Sequence, residues 1–419
     1  MKNYNKSQKN EVFDLFKLDA KVAKSPNSWL WCTFKSDRLR DEYLKRLEIT
    51  KQSDISAALY KKLACGKSTL ERHLTALKNS DKLCSLPIKV VEELCNYLDP
   101  DLRNSINHDI SILFFKNRLT KPVHAVKTMT IELAELIGAF AADGYFCGSS
   151  NYYYIKITEG SEEPLKYLQD KILESFNFNS YIRYIEEEHC WNLWIKNRVI
   201  CRYFEMIFGF SPGRKALTVS MPNIVKRSPF LIKKAFVRGA FTFDGCMKTN
   251  GNIAFTTISN YLMQDIIKIL KKDKISFKIT YNKNKSAWCL ESSSGRDKRL
   301  LKKWKDYFLE CSSKYKKILF FLGQLKDVNF NALEKLFPLH HHNRVRFSDI
   351  YNAIKHLKKA EINEIIEELN KKKINVAATT LYKYLYVLYS ANLIGKEIKS
   401  VKTNKNGYKI VAYNIKEQI

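Results

Sequence analysis

The chain is short of acidic residues: 43 Asp and Glu stand against 72 Lys and Arg over 419 residues, leaving a net charge of +29. The excess is spread over many segments and points to a polyanionic partner, because phosphate neutralisation with counterion release is the usual reason for so basic a surface. The sequence has no uninterrupted apolar run long enough to cross a bilayer and no basic amphipathic helix with bulky aromatic anchors. A membrane is therefore not the expected partner. Its 10 cysteines form no Cys-x-x-Cys pair and have no histidine at finger spacing, which excludes a zinc finger and leaves reduced thiols. The run His340-His341-His342 has no carboxylate or cysteine near it and reads as linker. The start, MKNYNKSQKN, lacks a signal-peptide core. A cytoplasmic, nucleoid-associated protein is expected, or an organellar or nuclear one in a eukaryote.

What is present suits several folded domains, since 45% of residues are hydrophobic and 13% aromatic. An N-terminal extension is expected over 1–44 and a helix-turn-helix-like domain over 45–127. Within the latter, Ile55 to Leu63 has helical spacing, Cys65-Gly66 breaks it, and Lys67 to Leu74 starts a second helix capped by Ser68. That places Thr69, Arg72 and His73 on an exposed face able to meet DNA. Gly66-Lys67-Ser68-Thr69 mimics the end of a phosphate-binding loop, but Lys61 stands where its first glycine is required, so no nucleotide site is expected. After a linker over 316–345, residues 346–419 read as a winged-helix-like domain. Two helical patterns, the second with Leu381, Tyr384, Leu385 and Leu388 inward, precede two β-prone segments, Ile394 to Val401 and Tyr408 to Tyr413. Thr379, Thr380 and Lys383 would face DNA from the last helix, and Lys402 and Lys405 from the wing. A protein-binding winged helix is the alternative.

The middle of the chain repeats itself. Leu136-Ile-Gly-Ala-Phe-Ala-Ala-Asp-Gly144 and Val237-Arg-Gly-Ala-Phe-Thr-Phe-Asp-Gly245 agree at two glycines, an alanine, a phenylalanine and an aspartate. The stretches after the two copies are alike too, with Ile157 and Ile258 equally far behind their aspartates, and Trp191-Asn-Leu193 matching Trp288-Cys-Leu290. Each copy reads as helix, two strands, helix, two strands and a closing helix, an α+β pair of αββαββα units over about 130–210 and 230–312 within a domain at 128–315. Small residues Gly138, Ala139, Gly239 and Ala240 let two helix backbones approach closely along a pseudo-two-fold axis. Gly144 and Gly245 are expected to stop the helices in left-handed turns. Asp143 and Asp244 then lie at helix C-termini, where unpaired carbonyls, among them those of Ala142 and Phe243, add to the carboxylate charge and collect a hard cation such as Mg²⁺, with Mn²⁺ as a substitute. Strand alternation around Ile155 and Ile157 puts Tyr154, Lys156 and Thr158 on a DNA-reading face, and Arg183, Lys278 and Thr280 join them.

These motifs resemble the LAGLIDADG homing endonucleases in their single-chain, two-motif form. The resemblance covers about 130–312 and extends to Gly209-Phe-Ser-Pro-Gly-Arg-Lys215 and Met221-Pro-Asn-Ile224, which resemble segments common before the second motif. Ala141 and Thr242 depart from it, since members often carry a first aspartate there that is not the metal ligand. The resemblance implies two four-stranded antiparallel sheets forming a saddle over double-stranded DNA, with small helical DNA-binding domains flanking it. It implies Asp143 and Asp244 binding metal against two scissile phosphates, short 3′ overhangs, DNA contacts including Lys215, and a monomer. A basic residue near the end of the last strand, filled by Lys196 in the first unit, organises solvent or stabilises charge. The matching position in the second is Ser293, with Lys298 the nearest substitute. Two alternatives stand beside the site-specific endonuclease: a DNA-binding regulator that kept the scaffold without cutting, and an intron RNA maturase. An intein is not expected, as residue 1 is Met and the end reads Lys-Glu-Gln-Ile.

Overall fold

The structure is a computed structural model that describes residues 11–19, 29–63, 65–79, 85–116, 120–148, 152–292, 297–325, 328–338, 345–400 and 409–416. His340, His341, His342, Lys402, Lys405 and Ser293 lie outside the described residues. The chain divides into two compact units, a first running to Phe243 and joined by Ser259–Ile269, and a second made of Asp244–Ile258 with the chain from Leu270 onward.

The first unit opens with a mixed domain. A 3-10 turn at Leu15–Asp19 leads to β1 (Leu30–Phe34), α1 (Arg38–Leu47), α2 (Gln52–Tyr60), α3 (Lys67–Asn79), β2 (Leu86–Pro87), α4 (Ile88–Leu98), α5 (Leu102–Asp109), β3 (Ile110–Phe115) and β4 (Val123–His124). The strands form one sheet in the order β2-β1-β3-β4. The described part of the span 1–44 is thus no extension, for its Leu30–Phe34 is an interior strand of this sheet. The physical reason is that Leu30, Trp31, Cys32 and Phe34 are all buried, so β1 has no alternation to reveal it. The helix pair α2 and α3 is present, but α3 starts at Lys67, and the N–H groups of Thr69 and Leu70 reach Gly66 O, so Ser68 is inside the first turn rather than its cap. Asn107 of α5 ties the chain start to this domain, accepting from Leu15 N at 2.9 Å and donating to Phe13 O at 2.8 Å.

The first repeat comes next as α6 (Ile131–Asp143), β5 (Gly144–Gly148), β6 (Tyr153–Glu159), α7 (Glu162–Phe176), β7 (Tyr181–Ile185), β8 (Cys190–Ile195) and α8 (Arg198–Arg202). A π-helical turn, Tyr203–Ile207, and α9 (Asn223–Arg227) lead to the second repeat. This is α10 (Phe230–Asp244), β9 (Gly245–Met247), β10 (Ile253–Thr257), α11 (Asn260–Lys272), β11 (Lys278–Asn282), β12 (Ala287–Ser292) and α12 (Lys298–Lys305). Both repeats have the expected order of elements, and their sheets match strand for strand, β5-β6-β8-β7 against β9-β10-β12-β11. The fold is α+β with open antiparallel sheets.

The register corrects the expected alignment. Gly144 pairs with Ile157, whereas Gly245 pairs with Phe255, so Phe255 and not Ile258 is the counterpart of Ile157. Ile258 is 39% exposed, while Phe255 is fully covered. The first hairpin is longer than the second, a difference in turn length that spacing alone does not reveal.

In the second unit the span 316–345, expected as linker, contains α13 (Ser313–Leu322) and α14 (Phe330–Leu336). Ser312 caps α13 by accepting from Tyr315 N, and Gly323 ends it at φ 71°. Their apolar residues Ile318, Leu322 and Leu333 are buried, which a solvated linker would not require. Then come α15 (Phe347–Leu357), β13 (Lys359–Glu361), α16 (Ile362–Lys371), α17 (Ala378–Ser390), β14 (Ile394–Ser400) and β15 (Lys409–Ile415), with sheet order β13-β15-β14. Leu381, Tyr384, Leu385 and Leu388 of α17 are buried.

Candidate functional site

Thr130 starts the first motif helix by accepting a hydrogen bond from Leu133 N at 3.1 Å. From Leu133 to Ala141 every residue of α6 is buried. A helix apolar all round is one enclosed on all sides. Part of that enclosure is α10. A Cβ built on Gly138 would lie 2.0 Å from Phe236 O, and one on Gly239 would lie 2.1 Å from Glu135 O. No side chain fits at either position, so the two backbones touch at these glycines.

A polar contact crosses this interface. Glu135, fully buried, accepts from Arg238 Nη1 at 2.7 Å and from the Tyr167 hydroxyl at 2.5 Å. Burial pushes its carboxyl above the usual range, while Tyr167 and Arg238 pull it back. The position equivalent to Glu135 in α10 is Phe236, so the pair breaks the symmetry of the repeat.

At the other end, α6 and α10 close on Asp143 and Asp244, both exposed. The expected left-handed stops are absent. Gly144 has φ −97° and ψ 152°, and neither it nor Gly245 is among the positive-φ glycines. Each helix runs straight into the first strand of its sheet. Gly144 is needed for space instead, since a Cβ there would lie 2.3 Å from Phe140 Cδ2 and 2.5 Å from Phe140 O.

A cation already occupies the end of α6. Lys215 Nζ donates to Ala141 O at 2.9 Å and to Ala142 O at 3.3 Å. Gly209 and Gly213, at φ 76° and 93°, turn its loop, and Gly213 N bonds Phe146 O at 2.9 Å, pinning the loop to the edge of β5. Lys215 was expected to contact DNA, and the Ala142 carbonyl to hold metal. In this structure Lys215 instead meets the end of α6, because unpaired carbonyls at a helix C-terminus are acceptors an ammonium satisfies readily. The loop also lines a cavity of about 470 Å³ with Met206, Arg214 and Thr218. Phe243, the other carbonyl ligand expected, is a buried residue of α10, next to Asp244. Among the described residues, no three His, Cys, Asp or Glu side chains converge as a metal-binding group.

On the first sheet, Ile155 and Ile157 are fully buried, and Tyr154, Lys156 and Thr158 are half-buried on the opposite face. The Thr158 hydroxyl is tied to Asn192 Oδ1 at 2.7 Å. Arg183 is exposed, as are Lys278 and Thr280 on the second sheet and Lys298 at the start of α12. Lys196 is exposed just past β8, its Nζ 5.1 Å from the Tyr181 ring centre and 5.3 Å from that of Trp194. Trp194 and Tyr181 were not among the expected residues, although the alternation Asn192, Trp194, Lys196 puts Trp194 on the face of Lys196.

One of the flanking residues needs correction. Arg72 is exposed and Thr69 half-buried, but His73 is buried, its ring 5.2 Å from that of Trp31 and edge-on to it. It belongs to the inner stripe of α3 with Leu70, Leu74 and Leu77. Thr379 of α17 is exposed, yet Thr380 and Lys383 line a cavity of about 470 Å³ with Met247, Lys248 and Lys317 of the same unit. Lys383 is itself exposed and Thr380 half-buried, and the segment read as linker folds and supplies Lys317, Phe337 and Pro338 to that cavity.

Residues 130–207 match the family described as LAGLIDADG-like domain, and residues 233–296 match the WhiA LAGLIDADG-like domain. No curated protein matches the chain in sequence. Among solved structures, I-DmoI in complex with DNA and Mn aligns at 19% identity, covering 39% of this chain and 89% of its own, with a TM-score of 0.30. The N-terminal LAGLIDADG domain of DUF199/WhiA aligns at 14% identity over 48% of this chain and 84% of its own, with a TM-score of 0.28. Full-length DUF199/WhiA from Thermatoga maritima aligns at 12% identity over 62% and 91%, with a TM-score of 0.32. Two touching motif helices and two sheets of one strand order thus lie in the stretch where residues 130–207 and 233–296 each match a LAGLIDADG-like domain.

Proposed function

We propose that the protein binds double-stranded DNA and hydrolyses its phosphodiester bonds site-specifically, with a divalent metal held by Asp143 and Asp244. The observation that carries this reading is that the two motif helices meet at Gly138 and Gly239 and each ends in an exposed aspartate. A purely structural junction of helix and strand has no need of a second carboxylate at the matching place. The residues fit a hard cation. Each aspartate offers acceptor-only oxygens, and the end of α6 already draws a lysine ammonium. Bound Mg²⁺ or Mn²⁺ would supply Lewis acidity at the scissile phosphate. Lys215 offsets the negative end of α6 beside Asp143. Lys196 stands exposed to stabilise developing charge, and Lys156, Arg183 and Lys278 neutralise phosphates. The basic net charge supports a polyanionic partner, and intron RNA remains a second polyanion to be tested.

A DNA-binding regulator without nuclease activity is the competing reading. It is favoured by the WhiA-type match of the second repeat and by the loss there of a counterpart to Lys196, since position 293 is serine. Duplexes enriched by binding from a random library provide the substrate that separates the two. The endonuclease reading expects cutting in Mg²⁺ or Mn²⁺ that Asp143→Asn and Asp244→Asn each abolish, with affinity nearly unchanged. Tight binding without cutting in either metal would select the regulator.

A further inference from the structure

We propose that the open face of the first repeat's sheet is a stacking platform for unpaired nucleotides, in which Tyr145, Tyr154, Trp194 and Tyr181 take bases while Lys156 and Lys196 take phosphates. The inference rests on the nucleic-acid reading above, but not on cleavage. The four rings run across all four strands, β5, β6, β8 and β7, in a continuous row. Tyr145 and Tyr154 are 6.1 Å apart, Tyr154 and Trp194 5.1 Å, and Trp194 and Tyr181 6.3 Å, the last pair inclined by only 5°. Tyr181 and Trp194 are direct cross-strand partners, so the register itself holds them together. Lysines lie over the row: Lys156 Nζ is 5.8 Å from the Trp194 ring centre, and Lys196 reaches both Trp194 and Tyr181.

These rings are not there to fill a core. The opposite pleat already does that with Phe146, Ile155, Ile157, Leu193 and Ile195, each at most 1% exposed, whereas Tyr145 and Tyr181 are 44% and 40% exposed. The second repeat serves as an internal control. Through the pairings of Gly144, Ile157, Leu193 and Ile182 against Gly245, Phe255, Leu290 and Ile279, the counterparts of Tyr145, Tyr154, Trp194 and Tyr181 are Cys246, Asn252, Glu291 and Lys278. There the face carries a Lys248–Glu291 ion pair at 2.8 Å and no aromatic row. The same sheet folds without aromatic residues at these places, so the row is an addition to the scaffold.

A row of ring faces interleaved with ammonium groups suits a strand whose bases are unstacked. In a duplex the base faces are covered by neighbouring pairs, and sequence is read at the edges by polar groups. In a single strand or loop each base offers a free face to an aromatic side chain, with the backbone tracked by lysines. The charge of the face matches that partner, and the two lysines can leave the rings for phosphates as bases replace them.

The test uses the full chain and end-labelled strands of about twelve nucleotides, within the usual span of single-strand sites, as DNA, as RNA of the same sequence, and as the blunt duplex. Fluorescence anisotropy should show single strands bound, with Trp194→Ala and Tyr181→Ala each weakening that binding about tenfold while duplex affinity changes less than about twofold. Trp194→Phe should keep most of it, and unchanged melting of each variant excludes misfolding. Tyr181, on an edge strand and exposed, is the variant least able to disturb the fold. The DNA and RNA arms identify the source of the unpaired bases. Single-strand binding indifferent to these substitutions, or duplex binding falling in step with it, overturns the platform while leaving duplex recognition standing. Failure of the wild-type protein to bind any of the three probes would sink the nucleic-acid reading as well, and Asp143→Asn should leave single-strand binding intact whatever it does to cutting.

Discussion

Within the N-terminal domain, His73 and Asp19 lose and keep protons over nearly the same pH range with opposite effects on stability. Burial holds the His73 imidazole down to about 4, helped by Arg72 and Lys116. Its unfolded form binds a proton first as pH falls, so its contribution is lost between about pH 6.5 and 4. Burial pushes Asp19 up to about 7, against the opposing pull of Lys89, the Leu30 N–H, Arg202 and Arg198. Here the folded form holds its proton longer, so stability declines as pH rises from about 4 to 7. The two slopes have opposite signs over this range and so oppose each other in the native chain. His73→Phe should therefore expose a steady loss of stability with rising pH, and Asp19→Asn a steady gain. Urea midpoints followed by tryptophan emission between pH 4 and 7 measure both, and parallel curves for the two variants would contradict the assignment. The place of His73 was within reach of the sequence, for it keeps helical spacing with Leu70, Leu74 and Leu77. The role of Lys215 was not within reach, because it depends on a loop turning back onto a helix end.

At the scale of elements, the motif helices were the most legible feature, since glycine at matched positions in two helices has few explanations besides close approach. The structure sharpens this into an expected outcome. A leucine at Gly239 would collide with the Glu135 carbonyl, which belongs to a fully buried stretch of α6 and has nowhere to move. Overpacking of this kind costs about 1–3 kcal/mol, which separates the helices before it unfolds the domain. Gly239→Leu and Gly138→Leu should both remain soluble, bind DNA, and cut far less than wild type, whereas Lys268→Leu on the exposed side of α11 should cut normally. Normal cutting by Gly239→Leu would show that the motif helices need not touch for catalysis. The strands beyond the helices were legible in order but not in register. Those after Asp143 and Asp244 pair differently because their hairpins differ in length, and turn length is set by residues that carry no hydrophobic period. In the same way β1, buried on both faces, and the short α13 and α14 leave no clean period to read, and so the spans around them resemble extension and linker in sequence.

Charge dominates the scale of the whole molecule, and it is also where composition said most and location least. A net +29 is readable at a glance, but basic residues are so evenly spread that they mark no domain boundary and do not separate contacts from solvated surface. The structure makes that separation. Lys45 and Lys166 are paired with Glu42 and Glu162 at 2.8 Å, whereas Lys156, Arg183 and Lys278 stand on the outward faces of the two sheets. Each phosphate contact releases counterions and adds about 0.9 to the slope of log affinity against log salt. Replacing Lys156, Arg183 and Lys278 together by alanine should then flatten the slope for duplex binding by roughly 2–3 and lower affinity for every sequence alike, since phosphates carry no sequence information. Replacing Lys45 and Lys166 should leave the slope where it was, because those side chains sit in exposed ion pairs worth little to anything else. Titrations across a range of salt concentrations measure both. If the slopes of the two variants change equally, duplex binding follows net charge rather than these sheets, and the sheet faces lose their place as the DNA surface.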